Sequence, residues 1–464
     1  MVMTDFASRV ACAALLLALY AVLCGAVWWR ERRKQRHARH EAAALAQARD
    51  GARPWLVAYA SQTGQAEELA HETARLLHAA GEPVHLCALD EVGAALLART
   101  QRALFIASTY GEGDAPDNAA LFQQQHLQAA DGAQTAPSLA GLQYGLLALG
   151  DRQYTHYCGF GRQLDDWLRS QGAVPLFVRV EMDNAAPAAL QAWQHQLAQV
   201  ASLSEPPAWE APVFAEWTLA ARRHLNPGST GAPVFHIELA PPAGTVADWL
   251  SGDLVQLCAP ADPTHPREYS IASMPGDGRI HLTVRQAVRE DGTPGVASGW
   301  LCAGAAVGSV VALRVRAHRN FRLEDNAARP LVLIGNGTGI AGLRSHLRAR
   351  VAAGAGANWL VFGERHQAHD FLYRTEIEAW QTGGMLARVD LAFSRDRARR
   401  VYVQHVLAQA ADELRSWVQQ GAAIYVCGSL QGMAQGVHAA LQSALGDECL
   451  EALLRSGRYR RDVY

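Results

Sequence analysis

The pattern of hydrophobic and polar positions begins with one long apolar stretch. Residues 10–29 carry no charged side chain, and a basic run from Arg30 to His40 follows them directly. At about 1.5 Å per residue, a helix over this stretch spans the roughly 30 Å hydrocarbon core of a bilayer. The basic run lies on the C-terminal side, which the positive-inside rule places in the cytoplasm. We therefore expect a transmembrane helix over residues 10–29 and a basic juxtamembrane linker over residues 30–53.

A cleaved signal peptide is the alternative interpretation of this stretch. Signal peptides carry basic charge before a shorter apolar segment and small residues at the cleavage site. Here only Asp5 and Arg9 precede the stretch, so the basic charge lies on the other side. A lipid-modified cysteine at Cys24 fits less well, because the bulky Leu23 precedes it. The expectation is a single-pass anchor in the inner or plasma membrane, with the lipid bilayer as a partner.

Residues 54–203 show strand, loop and helix patterns in alternation. The apolar run at 55–60 leads into the polar loop Ser61–Ala66 and a helical pattern, and two later apolar runs lead into loops that contain Tyr110 and Tyr154. This alternation predicts a doubly wound parallel sheet, whose ligands bind outside the carboxyl ends of the strands. Loop amides at a helix N-terminus attract a phosphate, and two tyrosines can enclose a planar ring. Taken singly, the loop is as often an ordinary helix cap and either tyrosine is more often packing.

Residues 213–325 follow a proline-rich boundary and show short strands separated by turns, which predicts an antiparallel barrel. Within it, Arg267, Tyr269 and Ser270 form an Arg-x-Tyr-Ser motif, and Gly295 opens a predicted helix. An arginine can pair with a pyrophosphate, while a tyrosine can stack on a flavin and a serine can hydrogen-bond to it. The first motif alone is common by chance. The two motifs together, ahead of a nucleotide-binding pattern, indicate a flavin site.

Residues 326–464 begin with a buried strand pattern at 330–335 and a glycine loop that opens a helix, which suits a dinucleotide pyrophosphate. Further along, the segment from Ser394 to Gln404 collects guanidinium and hydroxyl groups at the end of a predicted strand. Such groups suit the 2′-phosphate of NADPH, whereas an NAD site favours an acidic residue. A solvated basic turn is the alternative interpretation of the charges alone.

Composition narrows the possible functions. A chain of 464 residues exceeds a single core of roughly 250 residues, so two or three domains are expected. The formal net charge of -2 gives no electrostatic case for nucleic acid as a partner. The eight cysteines lie far apart, and neither they nor the eighteen histidines show metal-ligand spacing, so no metal is expected.

The motifs in this order resemble the diflavin reductases, which include sulfite reductase flavoproteins and cytochrome reductases. The resemblance covers almost all of residues 55–464 and implies an α/β multidomain fold. Its parts are a flavodoxin-like FMN-binding domain, an antiparallel FAD-binding β-barrel and a Rossmann-like NADP-binding domain. By this resemblance the FMN site comprises Ser61, Gln62, Thr63, Gly64, Gln65, Ala66, Tyr110, Gly111, Gly113, Asp151 and Tyr154.

The same resemblance implies the other two cofactor sites and the catalytic residues. The expected FAD site comprises Arg267, Tyr269, Ser270, Gly295, Val296, Ala297, Ser298 and Tyr464. The expected NADPH site comprises Gly337, Thr338, Gly339, Ser394, Arg395, Arg400, Tyr402 and Gln404. Ser270 is expected beside the flavin, Cys427 near the nicotinamide, and Asp462 as an aid to hydride transfer. Tyr464 is expected to stack on the FAD until the nicotinamide displaces it.

Several positions depart from the family pattern. Gln65 stands where a threonine is usual, and Asn336 and Gly342 stand where prolines are usual. Ser429 replaces an aspartate. Only a short segment separates the first domain from Arg267, where classical diflavin reductases carry a long helical connecting domain that orients FMN against FAD.

The resemblance implies that NADPH delivers a hydride to FAD, and that FMN passes the electrons singly to an acceptor. The chain is thus expected to be an NADPH-dependent flavoprotein reductase. Three interpretations remain open for the acceptor and the role. The first is a membrane-associated reductase for ferric siderophores, quinones or a haem protein. The second is a sulfite-reductase-like subunit that docks a haem partner, and the third is a non-catalytic flavin-binding scaffold.

Overall fold

The computed structural model describes residues 53–127, 138–152, 154–184, 186–201, 212–245, 248–289 and 291–464. The expected anchor at 10–29, and all of the expected linker except Arg53, lie outside the described residues. Within the described part of the chain, no helix is both long enough and apolar enough to cross a bilayer. The strands of this part form three sheets, in chain order.

The first sheet is parallel and covered by helices on both faces. Its strands run in the order β2-β1-β3-β4-β5, and β6 also pairs with β4. The central strands are almost continuously apolar because both faces are buried, as Phe105 and Tyr144 illustrate. The elements are β1 Trp55–Ala60, α1 Gln65–Ala79, β2 Val84–Ala88, α2 Ala94–Arg99, β3 Arg102–Ser108, α3 Ala120–Phe122, β4 Gln143–Gly150, α4 Gly159–Ser170, β5 Val174–Pro175, β6 Val180–Asp183 and α5 Pro187–Val200.

The second sheet is antiparallel and curls into a barrel. Its order is β10-β9-β12-β7-β8-β11, and an antiparallel bridge between Ile271 and Leu282 joins its two ends. Trp217, Leu257 and Val284 are among the apolar side chains that fill its interior. The elements are β7 Ala215–His224, β8 Val234–Ala240, β9 Leu254–Ala259, β10 Asp262–Ser270, β11 Ile280–Arg285, α6 Val296–Gly299 and β12 Val310–Arg316.

The third sheet is parallel, in the order β15-β14-β13-β16-β17. Strand β17 therefore lies at one edge of this sheet. The elements are β13 Leu331–Asn336, α7 Ile340–Ala352, β14 Asn358–Glu364, α8 Gln367–Asp370, α9 Arg374–Thr382, β15 Arg388–Phe393, α10 Val403–Gln409, α11 Ala411–Gln419, β16 Ala423–Gly428, α12 Gln435–Leu445, α13 Asp447–Arg455 and β17 Tyr459–Val463.

The first domain packs directly against both of the others. Glu68 on α1 forms an ion pair of 3.1 Å with Arg314 on β12 of the barrel. The Asn320 side-chain amide donates a hydrogen bond of 2.6 Å to the carbonyl of Ser61. Asp117 forms an ion pair with Arg461 on β17 of the third domain. These contacts bring the carboxyl edge of the first sheet against the barrel and the edge strand, and only residues 201–214 link α5 of the first domain to β7 of the barrel.

Candidate functional site

Three loops meet at the carboxyl edge of the first sheet, as expected for its strand order. Gly64 precedes α1 with a φ of 92°, which favours glycine, and an added Cβ would lie 2.9 Å from the carbonyl oxygen of Ala317. Ser61 Oγ accepts a hydrogen bond of 3.0 Å from the amide of Gly64, which fixes the loop. The side-chain amide of Gln65 donates to the carbonyl of Asn184 at 3.2 Å.

These loops line a cavity of about 320 Å³ that extends to the barrel and to the third domain. Tyr110 and Tyr154, the two expected flavin-flanking tyrosines, both line it. The hydroxyl of Thr109 also faces this region, and it is buried without a hydrogen-bond partner. The other expected site residues on its wall are Gln62, Thr63, Gln65, Gly111, Asp151, Arg267 and Tyr464. Expected FMN and FAD residues thus share one cavity.

A buried carboxylate lies at the junction of barrel and third domain. The Ser270 hydroxyl donates to Asp462 Oδ2 at 2.7 Å, and Cys427 Sγ lies 3.6 Å from the same oxygen. Cys427 and Asp462 are register partners on β16 and β17, so strand pairing sets their separation. Burial raises the pKa of the Cys427 thiol well above its usual value, and the Asp462 carboxylate raises it further. The thiol therefore stays protonated and donates a hydrogen bond to Asp462.

Four of the other expected FAD residues, Gly295 to Ser298, lie around the first turn of α6, and Tyr269 lies on β10. The Gly295 amide donates 2.8 Å to the carbonyl of Ala287, whose own amide donates to Ser298 Oγ at 3.1 Å. This pair of bonds holds the segment from Gly295 to Ser298 against the barrel. Tyr269 packs against the barrel core, and burial raises its pKa above the usual range.

A second cavity, of about 740 Å³, lies at the carboxyl edge of the third sheet. Gly337 and Thr338 line it, and Gly339 packs so closely behind them that an added Cβ would lie 2.1 Å from the carbonyl oxygen of Cys427. Ser394 and Gln404 also line the cavity, and Gln404 Oε1 is buried without a hydrogen-bond partner. An unpaired buried polar atom is costly, so this oxygen suits a hydrogen bond from a bound ligand.

The arginines of this cavity are not the two predicted from the sequence. Arg395 and Arg400 lie on the exposed turn that follows β15, and they do not line the cavity. Arg285 from the barrel and Arg365 after β14 line the cavity instead. Glu364 also lines it, but it forms an ion pair with Arg285. Nothing in the local pattern singled out Arg285 or Arg365, because the first reaches the cavity only through the packing of two domains.

Tyr464 separates the two cavities, and among the described residues it alone lines both. Its hydroxyl donates to Thr338 Oγ1 at 3.2 Å, and its side chain is 53% exposed. Its backbone amide donates to the carbonyl of Gly428 at 2.9 Å. The aromatic ring therefore lies between the expected flavin and nicotinamide sites.

Comparisons with known proteins decide the family. A flavodoxin family model matches residues 57–193, and an oxidoreductase NAD-binding domain model matches residues 333–439. The sulfite reductase [NADPH] flavoprotein alpha-component of Shewanella sp. (strain MR-7) is 30% identical over 546 aligned positions, which cover 88% of this chain and 89% of the relative. The Vibrio cholerae protein of the same name (serotype O1, El Tor Inaba N16961) is 28% identical, with 88% and 87% covered. This chain belongs to the sulfite reductase flavoprotein family of diflavin reductases.

As a diflavin reductase the chain is an oxidoreductase, and FMN, FAD and NADPH are its cofactors, which confirms the prediction from the sequence. The alignment with the Vibrio cholerae relative runs over 539 positions, more than the 464 residues of this chain. The relative therefore carries extra residues within the aligned region, in agreement with a shortened or missing connecting domain here.

One further cluster of ionisable groups lies on the barrel of this diflavin reductase. His236, Glu238 and His281 bring possible ligand atoms within 4.8 Å of one another in the described part of the chain. Glu238 is already paired with Arg279 at 2.8 Å. Burial, together with His281 and the nearby Arg344, lowers the pKa of His236 to about 4. Because cationic side chains surround the cluster, it is a poor site for a metal cation.

Proposed function

We propose that this chain is a membrane-anchored NADPH-dependent diflavin reductase, which passes electrons from NADPH through FAD and FMN to a one-electron acceptor. The observation that carries the proposal is the shared wall between the two flavin sites. Tyr110 and Tyr154 of the first domain, Arg267 of the barrel and Tyr464 of the third domain line one cavity. Flavins held by these residues would lie close together, as electron transfer between them requires.

The residues around each cavity support specific roles. Ser61 to Ala66 hold the FMN phosphate, and Tyr110 and Tyr154 flank its ring. Arg267 and the amides of residues 295–298 hold the FAD pyrophosphate, while Tyr269 stacks on its ring. The unpaired Thr109 hydroxyl, on the cavity wall, is a suitable donor to the FMN.

The hydride-transfer residues form one connected group. The bound flavins and nicotinamide supply the redox chemistry, whereas the protein supplies position and charge. Ser270 and Cys427 both orient the carboxylate of Asp462. A fixed, buried carboxylate stabilises positive charge that develops on a neighbouring nicotinamide ring. A scaffold without catalysis would not need side chains from two other strands to meet at one carboxylate oxygen, so the geometry favours the reductase.

The preference for NADPH rests on cationic groups around the second cavity. Ser394 and Tyr402 line it and offer hydroxyls to the 2′-phosphate, and Arg365 adds a guanidinium. Arg395 and Arg400 lie on the exposed turn just beyond and would approach the phosphate when the cofactor is bound. Glu364 does not oppose this, because Arg285 neutralises it.

The proposed membrane location and electron acceptor are argued from the sequence and not from the fold. The uncharged stretch at 10–29 and the basic run after it favour an anchor with the domains in the cytoplasm. Such an anchor favours a membrane acceptor such as a quinone, a ferric siderophore or a haem protein. The names of the relatives favour the second candidate, a flavoprotein subunit that passes electrons to a haem-containing sulfite reductase partner.

The test uses the full chain, purified from membranes in detergent. Released flavins, separated by chromatography, should comprise FMN and FAD in equal amounts, and NADPH should reduce both. The reduced protein is then mixed with a short-chain quinone, a ferric siderophore or a sirohaem protein. Rapid oxidation by the quinone or the siderophore supports the membrane role, and rapid oxidation by the sirohaem protein alone supports the second candidate. A single flavin type that no reconstitution completes would refute the diflavin proposal.

A further inference from the structure

The outer edge of β17 is covered by the first domain. Tyr464 and Arg458 direct backbone groups towards β16, since the Tyr464 amide donates to Gly428 and the Arg458 carbonyl accepts from Ile424. Backbone groups alternate sides along a strand, so those of Arg461 and Val463 point away from the sheet. A free strand edge of this kind needs partners.

The partners are two side chains of the FMN-binding domain. Gln62 Nε2 donates to the Arg461 carbonyl at 2.9 Å. Tyr110 satisfies both groups of Val463, because its hydroxyl donates to the Val463 carbonyl at 2.7 Å and accepts from the Val463 amide at 3.2 Å. Tyr110 is only 8% exposed, so water does not replace these bonds in the docked arrangement.

The residues fixed in this way alternate with the hydride-transfer residues. Asp462, which holds Ser270 and Cys427, lies between Arg461 and Val463, and Tyr464 follows directly. Backbone motion at Val463 would therefore displace the carboxylate of Asp462 on one side and the aromatic ring of Tyr464, which we call the nicotinamide gate, on the other. A hydroxyl of the FMN-binding domain thus controls the position of groups that serve the other flavin.

We propose that Tyr110 is a positioning residue for hydride transfer from NADPH to FAD, in addition to its place beside the FMN. Its hydroxyl fixes the end of β17, which keeps Asp462 and Tyr464 in place while the FMN-binding domain is docked. The inference rests on the proposed function. It also means that reduction of FAD by NADPH depends on where the FMN-binding domain is, because undocking of this domain loosens the nicotinamide gate.

The variant that tests this is Tyr110→Phe, which keeps the ring but removes both hydrogen bonds. Because both bonds to Val463 are lost, hydride transfer should slow about fivefold or more. NADP⁺ should bind about threefold more tightly, because a less constrained Tyr464 is displaced more easily. These opposite changes distinguish positioning from general damage, which would weaken both.

The matched control is Glu68→Gln, which removes another contact of the same domain. Its ion pair with Arg314 lies on the barrel side and does not touch β17. Because Glu68 is half-exposed, this pair is weak, and its loss alone should leave the domain docked. The three proteins, saturated with FMN, are compared by stopped-flow reduction with NADPH and by NADP⁺ titration. The expected result is a change in Tyr110→Phe alone.

Two outcomes would overturn the inference. In the first, Tyr110→Phe keeps the hydride-transfer rate and NADP⁺ affinity of the parent. In the second, Glu68→Gln changes both quantities as much as Tyr110→Phe does, so that docking in general and not the Tyr110 hydroxyl is responsible. A parent protein that NADPH does not reduce would instead refute the proposed function, which keeps the two failures distinct.

Discussion

Replacing Tyr464 by alanine should strengthen nicotinamide binding and weaken the preference for NADPH. Tyr464 is the described residue common to both cavities, and its hydroxyl bonds to Thr338 on the glycine loop of the NADPH site. A nicotinamide ring that is to reach the flavin must displace this aromatic ring first. Tyr464→Ala removes that competition and leaves the backbone bonds of residue 464 intact.

The size of the effect follows from the contacts that the nicotinamide must break. Aromatic stacking contributes about 0.5 to 1.5 kcal/mol, which corresponds to roughly twofold to twelvefold in affinity. The hydroxyl contact with Thr338 is partly exposed, and a single hydrogen bond there adds about 0.5 kcal/mol. The dissociation constant of NADP⁺ should therefore fall by roughly fivefold to thirtyfold. The gain should be proportionally larger for NADH, which lacks the 2′-phosphate that anchors NADPH.

The assay is stopped-flow reduction of the flavin by NADPH and by NADH, with NADP⁺ titration alongside. Tyr464→Phe is the matched control, since it keeps the ring and loses only the bond to Thr338. We expect Tyr464→Phe to change NADP⁺ affinity by less than about threefold. If Tyr464→Ala shows the same NADPH-to-NADH ratio and the same nicotinamide affinity as the parent, the ring does not cover the flavin and this reasoning is wrong.

Three other changes test separate parts of the site. Arg395→Ala or Arg400→Ala should raise the KM for NADPH about tenfold or more, since a charge-assisted bond contributes about 1.5 to 3 kcal/mol. The KM for NADH, measured by the same steady-state kinetics, should stay nearly unchanged. Equal increases of the KM for both cofactors would mean that the arginines have a structural role. Asp462→Asn should slow flavin reduction in stopped-flow traces with little change in NADPH affinity, and a parent-like rate would remove its role. Burial raises the pKa of Asp90 to about 6, so its ionised form destabilises the fold above that pH. Asp90→Asn should therefore raise the unfolding temperature above that pH, and this gain should disappear as the pH falls below the usual aspartate pKa. An equal gain in unfolding temperature in both pH ranges would contradict the raised pKa of Asp90.

The local pattern predicted the buried strands well and the edge strand poorly. β1, β3, β13 and β16 are continuous apolar runs, because helices cover both faces of their sheets. β17 has the sequence Tyr-Arg-Arg-Asp-Val, in which no apolar alternation marks a strand. It is a strand because it pairs with β16 and because another domain satisfies its outer edge. Context of this kind overrides intrinsic strand preference, and a single sequence does not display it.

For the candidate site too, the sequence indicated some residues and gave no sign of others. The resemblance supplied separate expected roles for Ser270, Cys427 and Asp462, and these roles remain predictions. The structure adds their shared oxygen, which no spacing along the chain reveals. Arg285 was not predicted at the nucleotide cavity, since it belongs to a barrel strand, and Tyr110 was predicted only as a flavin neighbour. In both cases the missed contact joins two domains, and a pattern along one sequence does not show which surfaces of different domains meet.

The short link between the first domain and the barrel sets a limit on electron delivery. Fourteen residues separate Val200 at the end of α5 from Ala215 at the start of β7, and a fully extended segment of that length spans at most about 50 Å. Because only this short segment joins the first domain to the barrel, the orientation of the FMN-binding domain depends on its contacts with the other two domains, such as Glu68 with Arg314 and Asp117 with Arg461. The Glu68–Arg314 pair is partly exposed and therefore weak, whereas Asp117 and Arg461 are mostly buried, so the contact with β17 should hold the domain more firmly than the contact with the barrel. We therefore expect the FMN-binding domain to hold β17, and with it Asp462, while it is docked, and to reach an acceptor within about 50 Å of its attachment if it is released.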